Sequence, residues 1–444
     1  YFAYCVHNSY RFIKPGGIIS AITSNAWLGK EYGIQFKKFL LSNFHIKYVV
    51  RSTAEHWFTD SQVSTIFFVL EKCDVKKPTK FISLNFKISD YFDATNVHDR
   101  LQKIENFYSE IDTCELSANT KWGSDNITHN VFHKKDGSID VSIVAYENLV
   151  ESLSPETNWS QFFHGLNPLE IFKPYLIQYC PGILKVIRGK RTGWNEMFVI
   201  KNKNVETSGI SDEFLVPYVK SPDEFSTILF SGEYNYRVFT CSAPYSSLDE
   251  GTKAWIDRFE HMPNKNGSKT VSEANADHRP YGYSISPKSA HIVTALNPYE
   301  RFFFSYSLTP FVIDQRMIAM QVQDGVDVEL IAALLNSVTT FLTIEFTGIS
   351  RHLGSLDLNA DFLKKMRFLN PKLLSEADKN KIKAAFEPLK LRAIHSIFEE
   401  CKMKDRIKFD RMVLKAFGIN ESILESLYKL LCARVRERIT MKNK

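Results

Sequence analysis

The amino-acid sequence predicts a mixed α/β fold: the last strands of a doubly wound sheet, then a second mixed α/β domain and a helical tail. In residues 1–75, short apolar runs typical of buried strands alternate with amphipathic helical segments. Segments rich in β-branched and aromatic residues, separated by turn signals, continue to residue 370. From residue 371 onward, apolar residues recur at spacings of three and four, as they do in helices.

Size and composition exclude several classes of protein. A chain of 444 residues exceeds what one hydrophobic core usually serves, so two or three domains are expected. Hydrophobic residues make up 44% and aromatic residues 13%, which argues against disorder. No apolar run approaches the roughly 20 residues that span a bilayer, so no membrane partner is predicted. The seven cysteines are dispersed without a CxxC pair, which fits reduced thiols in a cytoplasm and gives no indication of a metal site.

Residues 1–75 are predicted to form a helix, a strand, a second helix and two further strands. The first helix ends at Lys14-Pro15-Gly16-Gly17, because Pro and Gly stop helices. The nearly all-apolar run that follows is typical of a buried parallel strand. An amphipathic helix and two β-rich runs complete the segment. The predicted bounds are 1–12, 17–23, 29–43, 46–50 and 63–71.

Residues 76–158 are predicted to be a linker and connecting segment, with strands at 79–86 and 139–146 and a helix at 97–111. A further helix is predicted at 168–178. The polar stretch 264–277 is predicted to be a mobile surface loop, because it is rich in Asn, Ser, Lys and Gly.

The stretch 183–200 combines two apolar, β-prone arms with a basic centre that contains glycines, and it is predicted to be a β-hairpin. Its tip would carry three cations, a hydroxyl group and an amide, contributed by Arg188, Lys190, Arg191, Thr192 and Asn195. Arg and Lys neutralise phosphates, and Arg and Asn can each make paired hydrogen bonds to a base edge. A solvated surface turn is the alternative.

The positive charge is concentrated at the end of the chain. Residues 371–444 contain 18 Lys and Arg against 10 Asp and Glu, whereas the whole protein carries a net charge of only +6. An excess of this kind predicts a polyanionic partner. A pair of solvated amphipathic helices is the alternative interpretation of the tail.

Residues 1–75 contain four spaced motifs: Lys14-Pro15-Gly16-Gly17, Thr23-Ser24-Asn25, Trp57-Phe58-Thr59-Asp60 and Val69-Leu70-Glu71. Together they resemble the end of the catalytic domain of adenine-N6 DNA methyltransferases of the TaqI-like and type IIG restriction–modification kind. The resemblance implies that residues 1–75 are the carboxyl-terminal part of a Rossmann-like methyltransferase domain. It also implies an S-adenosylmethionine cofactor, double-stranded DNA as partner and a bacterial or archaeal cytoplasm.

The sequence departs from that family at its catalytic motifs. The Asn-Pro-Pro-Tyr tetrapeptide is absent, as are the glycine-rich turn and the acidic residue that hold the cofactor. In the family these motifs precede the residues matched here. We therefore expect that the chain begins after the catalytic loop, and that alone it neither binds S-adenosylmethionine nor transfers a methyl group. The expected partner is the missing amino-terminal methyltransferase half, or a complementing subunit.

One catalytic-domain residue is implied by the resemblance. The family places an aromatic side chain before its final hairpin strand, where it stacks on the flipped-out adenine, and Phe58 occupies that position. An aromatic face replaces part of the stacking that an extruded base loses. The alternative is that Trp57 and Phe58 only cap the sheet.

Residues 159–370 resemble the family's target-recognition domain, and residues 371–444 resemble its closing helices. The pattern Gly-x-x-Thr-Gly-x-Asn-x-x-Phe begins at Gly189, and Leu334-Leu335-Asn336-Ser337 and the small-residue loop at 348–358 follow in the family's order. Cations and polar groups close to predicted turns are the candidates for DNA binding: Arg188, Lys190, Arg191, Thr192, Asn195, Arg279, Arg316, Ser350 and Arg351.

The leading functional hypothesis is a fragment of a site-specific, adenine-specific DNA methyltransferase of a restriction–modification system. In that hypothesis this chain supplies target recognition and stacking on the flipped base. The alternative is a stand-alone DNA sequence-specificity subunit that binds DNA and partners a separate catalytic chain.

Overall fold

The computed structural model describes residues 2–58, 65–114, 131–134, 136–154, 157–164, 171–178, 182–263, 267, 269–350 and 354–440. These residues form two compact units. Unit 1 comprises Tyr1–Pro174, Leu342–Leu356 and Glu425–Lys444, and unit 2 comprises Tyr175–Phe341 and Asp357–Leu424.

Unit 1 contains a six-stranded sheet with the order β1-β3-β2-β4-β6-β5. Its neighbouring strands are antiparallel except for the parallel pair β2 and β4. The strands are β1 (Ile18–Ser24), β2 (His45–Ser52), β3 (Thr65–Glu71), β4 (Thr79–Leu84), β5 (Val131–His133) and β6 (Ile139–Val144). The predicted order of helices and strands in residues 1–75 is confirmed, and so are the strands at 79–86 and 139–146.

The first strand differs from its prediction. β1 pairs antiparallel with β3 and lies at one end of the sheet formed by the described residues. The side chains of Ile18 and Ile22 are 51% and 47% exposed. The prediction of a buried parallel strand is therefore wrong for this chain. An apolar run shows that a strand can be buried, but it does not show which strand pairs with it or which element covers it.

Unit 2 contains a seven-stranded sheet with the order β8-β14-β12-β13-β10-β11-β9, in which only β10 and β13 are parallel. A separate two-stranded sheet joins β7 (Leu176–Gln178) to β17 (Arg367–Leu369). The seven strands are β8 (Leu184–Arg188), β9 (Val199–Lys201), β10 (Leu215–Val219), β11 (Tyr236–Phe239), β12 (Ser289–Ala295), β13 (Ser305–Ile313) and β14 (Met317–Val322). A last short pair is not part of these sheets: β15 (Ile349–Ser350), which belongs to unit 1, pairs with β16 (Leu356–Asp357).

The described part of the chain also contains the following α-helices. In unit 1 and its flanks they are α1 (Phe2–Ser9), α2 (Tyr32–Asn43), α3 (Ile88–Tyr91), α4 (Val97–Asp112) and α5 (Tyr146–Glu151). The next five are α6 (Asn195–Phe198), α7 (Val205–Ser208), α8 (Glu250–Glu260), α9 (Val271–Ala274) and α10 (Val328–Leu335). The last six are α11 (Val338–Thr347), α12 (Ala360–Lys365), α13 (Glu376–Leu391), α14 (Ile397–Glu400), α15 (Lys404–Ala416) and α16 (Leu424–Thr440).

The predicted hairpin at 183–200 is wrong. β8 pairs with β14, and β9 pairs with β11, so the two arms lie at opposite ends of the seven-stranded sheet. The connection between the arms contains helix α6, whereas hairpin loops are usually two to five residues long. Both arms are β-strands, but each pairs with a strand from a distant part of the sequence.

Two further predictions need correction. Residues 168–178 are predicted to be helical, and residues 171 and 172 are, but Lys173–Tyr175 forms a 3-10 turn and Leu176–Gln178 is strand β7; residues 168–170 lie outside the described part. Pro174 accounts for the break, because proline removes a helix hydrogen bond. Residues 264–277 are predicted to be a surface loop, but their second half contains α9, which Thr270 and Glu273 cap reciprocally.

The two apolar helices α10 and α11 belong to the protein core. Among the described residues no single helix is long and apolar enough to cross a bilayer. Helices α10 and α11 reach that length only together, and they bend by 57° at the break between them. Every residue of α10 from Leu330 to Leu335 is buried in the fold.

Candidate nucleic-acid interface

Residues 188–195, which we call the basic loop, leave the end of β8 at one edge of the seven-stranded sheet. The side chains of Arg188, Lys190 and Arg191 are exposed. The loop therefore presents three cations to solvent from a rigid strand end, the arrangement that a protein surface needs to meet a phosphate backbone.

Two predicted site residues hold the loop in shape. The hydroxyl group of Thr192 is buried and donates a hydrogen bond of 2.5 Å to Oδ1 of Asn195. The carbonyl oxygen of Trp194 accepts hydrogen bonds from the backbone N–H groups of Met197 and Phe198, which start helix α6. The turn is thus locked from inside, and the Thr192 side chain faces the loop interior.

The turn at 314–316, between β13 and β14, lies against the basic loop. Nε of Arg188 donates to the carbonyl oxygen of Gln315 at 3.1 Å, and Lys190 forms an isolated β-bridge with Asp314. A Cβ atom on Gly189 would lie 2.2 Å from the carbonyl oxygen of Asp314, so only glycine allows this approach. The contact brings Arg316, more than a hundred residues away in sequence, beside the loop cations.

A buried carboxylate orients Arg316. Asp314 Oδ1 lies 3.2 Å from Nε of Arg316, whose side chain is about half exposed. Asp314 Oδ2 accepts a hydrogen bond of 2.8 Å from the hydroxyl group of Tyr218. Burial, and then the charge of Asp314, raise the pKa of Tyr218 well above its usual value, so the phenol remains a donor. Asp314 thus holds the Nε edge of the guanidinium group and leaves its other nitrogens exposed.

A third segment, residues 275–279, contacts the basic loop at Gly193. Gly193 has a φ of 76°, and a Cβ atom there would lie 2.3 Å from Oδ1 of Asn275 and 3.8 Å from Nε2 of His278. Nη1 of the exposed Arg279 donates to the carbonyl oxygens of Ala276 and His278 at 2.8 and 2.7 Å. Arg279 is therefore close in sequence to residues that touch the loop, and part of its hydrogen-bonding capacity is used in its own turn.

The other predicted site residues belong elsewhere. Phe58 follows β2 in unit 1 and is 48% exposed, whereas Trp57 packs against the apolar core of the same unit. Sheet capping thus describes Trp57 rather than Phe58. Ser350 ends β15 in unit 1, and its side chain lies outside the described part, as does the whole of Arg351. The structure brings together six predicted residues in unit 2, Arg188, Lys190, Arg191, Thr192, Asn195 and Arg316, and Arg279 follows His278, which lies at the loop.

Sequence reasoning missed Asp314, Tyr218, Asn275 and His278. The Thr270-x-x-Glu273 pattern is a capping-box signal that could have marked α9 and so suggested an ordered segment before Asn275. Nothing local in the sequence indicates that Asp314 meets Tyr218, since the two residues lie 96 positions apart.

Three arginines of the tail form ion pairs within the fold. Arg392 pairs with Glu400 and Asp405, Arg406 pairs with Glu400, and Arg438 pairs with Glu345. Burial alone would raise the pKa of Glu400, but hydrogen bonds from Arg392 and the charge of Arg406 lower it to about 2. These arginines stabilise the packing of helices, so their contribution to the net charge does not mark a polyanion site.

No family model matches this sequence. Solved structures with a similar arrangement include the type IIG restriction endonuclease BpuSI, with 14% sequence identity and a TM-score of 0.47. That match covers 100% of this chain and 50% of BpuSI. The type IIL restriction–modification enzyme MmeI in complex with DNA matches at 12% identity and a TM-score of 0.46, over 97% of this chain and 51% of MmeI. The chain spans about half the length of these restriction–modification enzymes. The two mixed sheets and the closing helices of the structure confirm the mixed α/β fold class with a helical tail that the sequence predicts.

Proposed function

We propose that this chain is part of a site-specific, adenine-N6 DNA methyltransferase of a restriction–modification system, and that unit 2 reads the target sequence in duplex DNA. The main support for this proposal is that the basic loop and the turn at 314–316, which are distant in sequence, lie together on one exposed surface. Its cations are Arg188, Lys190, Arg191 and Arg316, with Arg279 nearby on the segment beneath the loop.

The convergence supplies what sequence reading requires. Exposed cations at several points fix the register on the phosphate backbone, and a preorganised loop places side chains against base edges. Arg191 is the strongest candidate for base contact, because it is exposed at the loop tip and Arg can pair with two acceptors of guanine. The Thr192–Asn195 hydrogen bond fixes the internal shape of the loop tip, and the buried Asp314, held by Tyr218, orients Arg316.

Phe58 supports the same function from unit 1. We propose that its exposed ring stacks on the extruded adenine, while Trp57 anchors the segment in the core. S-adenosylmethionine would supply the methyl group, and the residues that hold it and orient the target amine would come from outside this chain.

The exposed strand β1 supports a proposal about where further methyltransferase strands would attach. Ile18 and Ile22 point apolar side chains to solvent at one end of the sheet in unit 1, and an exposed apolar edge strand is normally covered or paired. We propose that further strands of the methyltransferase sheet pair with β1. A separate specificity subunit would present the same edge to a catalytic partner chain, and in that case the basic surface of unit 2 would serve unchanged.

Single substitutions in the basic loop and in the turn at 314–316 test whether the two segments form one DNA-binding surface. Arg191→Ala and Arg316→Ala should each weaken binding to the target duplex by about 1–3 kcal/mol if they read bases, and by less if they touch phosphate. Lys372→Ala, an exposed cation of unit 2 outside this surface, is the control and should leave affinity unchanged. Fluorescence anisotropy with labelled duplexes measures all three. Loss in Arg191→Ala without any loss in Arg316→Ala would show that the two segments do not form one site.

A further inference from the structure

The residues beneath the basic loop carry polar atoms without partners. Asn275 is 1% exposed and His278 is 7% exposed. Within the described part of the chain, no hydrogen-bond partner reaches Oδ1 or Nδ2 of Asn275, Nδ1 of His278 or Nε1 of Trp194. Each unsatisfied group costs roughly 1–3 kcal/mol. An apolar side chain of the same size would fill the same space at lower cost, so packing does not explain Asn and His at these positions.

A second buried asparagine shows how the fold treats an amide with a structural role. Asn336 is 0% exposed. Its Oδ1 accepts from the backbone N–H of Phe304 at 3.0 Å, and its Nδ2 donates to the carbonyl oxygens of Phe304 and Ala332 at 2.9 and 2.8 Å. Asn336 makes all its hydrogen bonds in the protein without DNA, whereas the side chain of Asn275 makes none with the residues that the structure describes. This contrast points to a role for Asn275 in a different conformation of the protein.

The unpartnered atoms are chemically complementary. The indole N–H of Trp194 is a donor, Oδ1 of Asn275 is an acceptor, and Nδ2 of Asn275 is a donor. Burial lowers the pKa of His278; Asp277 and a hydrogen bond with the Gly282 backbone oppose this shift, and Lys190 adds to it. The neutral imidazole therefore has an acceptor nitrogen to offer. These groups belong to two segments that touch at Gly193.

We propose that Asn275 and His278 are positioning residues of the basic loop that complete their hydrogen bonds with Trp194 and the loop backbone only when the loop is bound to its cognate DNA site. The cations of the loop attach it to any duplex. The correct base sequence shifts the loop against Asn275 and His278, and the hydrogen bonds gained there add to the affinity for that sequence alone. Such conditional completion of a site is how induced fit produces specificity. This inference rests on the proposed function.

The test compares Asn275→Leu with Asn336→Leu in the full chain, together with His278→Leu. The cognate duplex is one selected from a random duplex library by the wild-type protein, and the reference is a duplex of random sequence. Asn275→Leu should keep or raise the unfolding temperature, keep affinity for the random duplex, and reduce the preference for the cognate duplex about tenfold, which corresponds to about 1.4 kcal/mol. His278→Leu should behave in the same way. Asn336→Leu should lower the unfolding temperature by several degrees, because its three hydrogen bonds are lost.

Three results are decisive. Loss of stability in Asn275→Leu comparable to that in Asn336→Leu would assign Asn275 a structural role and overturn the inference. An unchanged cognate preference in both Asn275→Leu and His278→Leu would overturn it as well. Absence of duplex binding by the wild-type protein would instead refute the proposed function, which distinguishes the two failures.

Discussion

The basic loop and the helices of the carboxyl-terminal region use the same residue types in opposite ways. Arg406 is buried, with Nε 3.1 Å from Oε2 of Glu400 and Nη1 donating to the carbonyl oxygen of Asn336 at 2.5 Å. In the basic loop, Arg188, Lys190 and Arg191 are exposed. The part of the chain with the larger excess of positive charge is therefore the part whose arginines are more often paired. Charge that is available for a ligand therefore has to be located by exposure, because composition alone does not distinguish paired cations from exposed ones.

The largest expected effect tests the structural side of this comparison. Arg406→Ala would leave Glu400 without one of its partners in a buried site, and removing one partner of a buried ion pair costs about 3–5 kcal/mol. Urea unfolding measures the loss. Arg411→Ala, an exposed change on the same helix α15, should stay within about 0.5 kcal/mol of wild type. Equal effects of the two substitutions would show that the buried cluster does not stabilise the fold.

The next effect is a pH dependence of stability at the same cluster. The pKa of Glu400 in the folded protein is about 2, below the 4.5 of the free side chain. The unfolded state therefore binds the proton more readily, so the stabilisation is fully present above pH 4.5 and is lost as the pH falls towards 2. Glu400→Gln should be less stable than wild type at pH 7, and the difference should shrink on acidification. A difference that stays constant from pH 7 to pH 3 would contradict the assigned pairing.

An exposed residue should show the reverse pattern, with function affected and stability unchanged. Phe58→Ala in the complete enzyme should reduce methylation by roughly 10- to 100-fold, because stacking on one base contributes about 1–3 kcal/mol. Duplex binding and the unfolding temperature should change little, since the ring is about half exposed. Methyl transfer from labelled S-adenosylmethionine and anisotropy with the same duplex provide the two readouts. Equal losses of methylation and binding would remove the stacking role.

The local elements of this fold could be predicted from sequence, but their partners could not. Strands β1 to β3 and helix α2 are visible in the spacing of apolar residues, because each element buries one face. The arms at 183–200 are also recognisable as strands. Their pairing with β14 and β11 depends on residues more than thirty positions away, so a local turn signal suggested a hairpin that does not exist.

For the candidate site, too, the residues could be recognised from the sequence, but their neighbours in space could not. The cations of the basic loop are apparent in the sequence, because they cluster within a few residues of two glycines. Arg316 could be named only as a cation close to a turn, and its place beside Arg188 follows from the position of β14 next to β8. Asn275 lies in a polar segment that has the composition of a loop, so its burial follows from the tertiary fold and not from local pattern.

The most direct test of the central claim, that the basic loop binds duplex DNA, is the salt dependence of binding. For the wild-type chain, the logarithm of the binding constant should fall linearly with the logarithm of salt concentration, with a slope of about −0.9 for each phosphate contacted. The triple variant Arg188→Ala/Lys190→Ala/Arg191→Ala should have a slope shallower by up to about three. Lys372→Ala/Lys402→Ala/Lys415→Ala makes the same change in charge at exposed positions of unit 2 away from the loop, and it should keep the wild-type slope. A flat salt response of the wild-type chain, or equal slopes for the two triple variants, would contradict the claim.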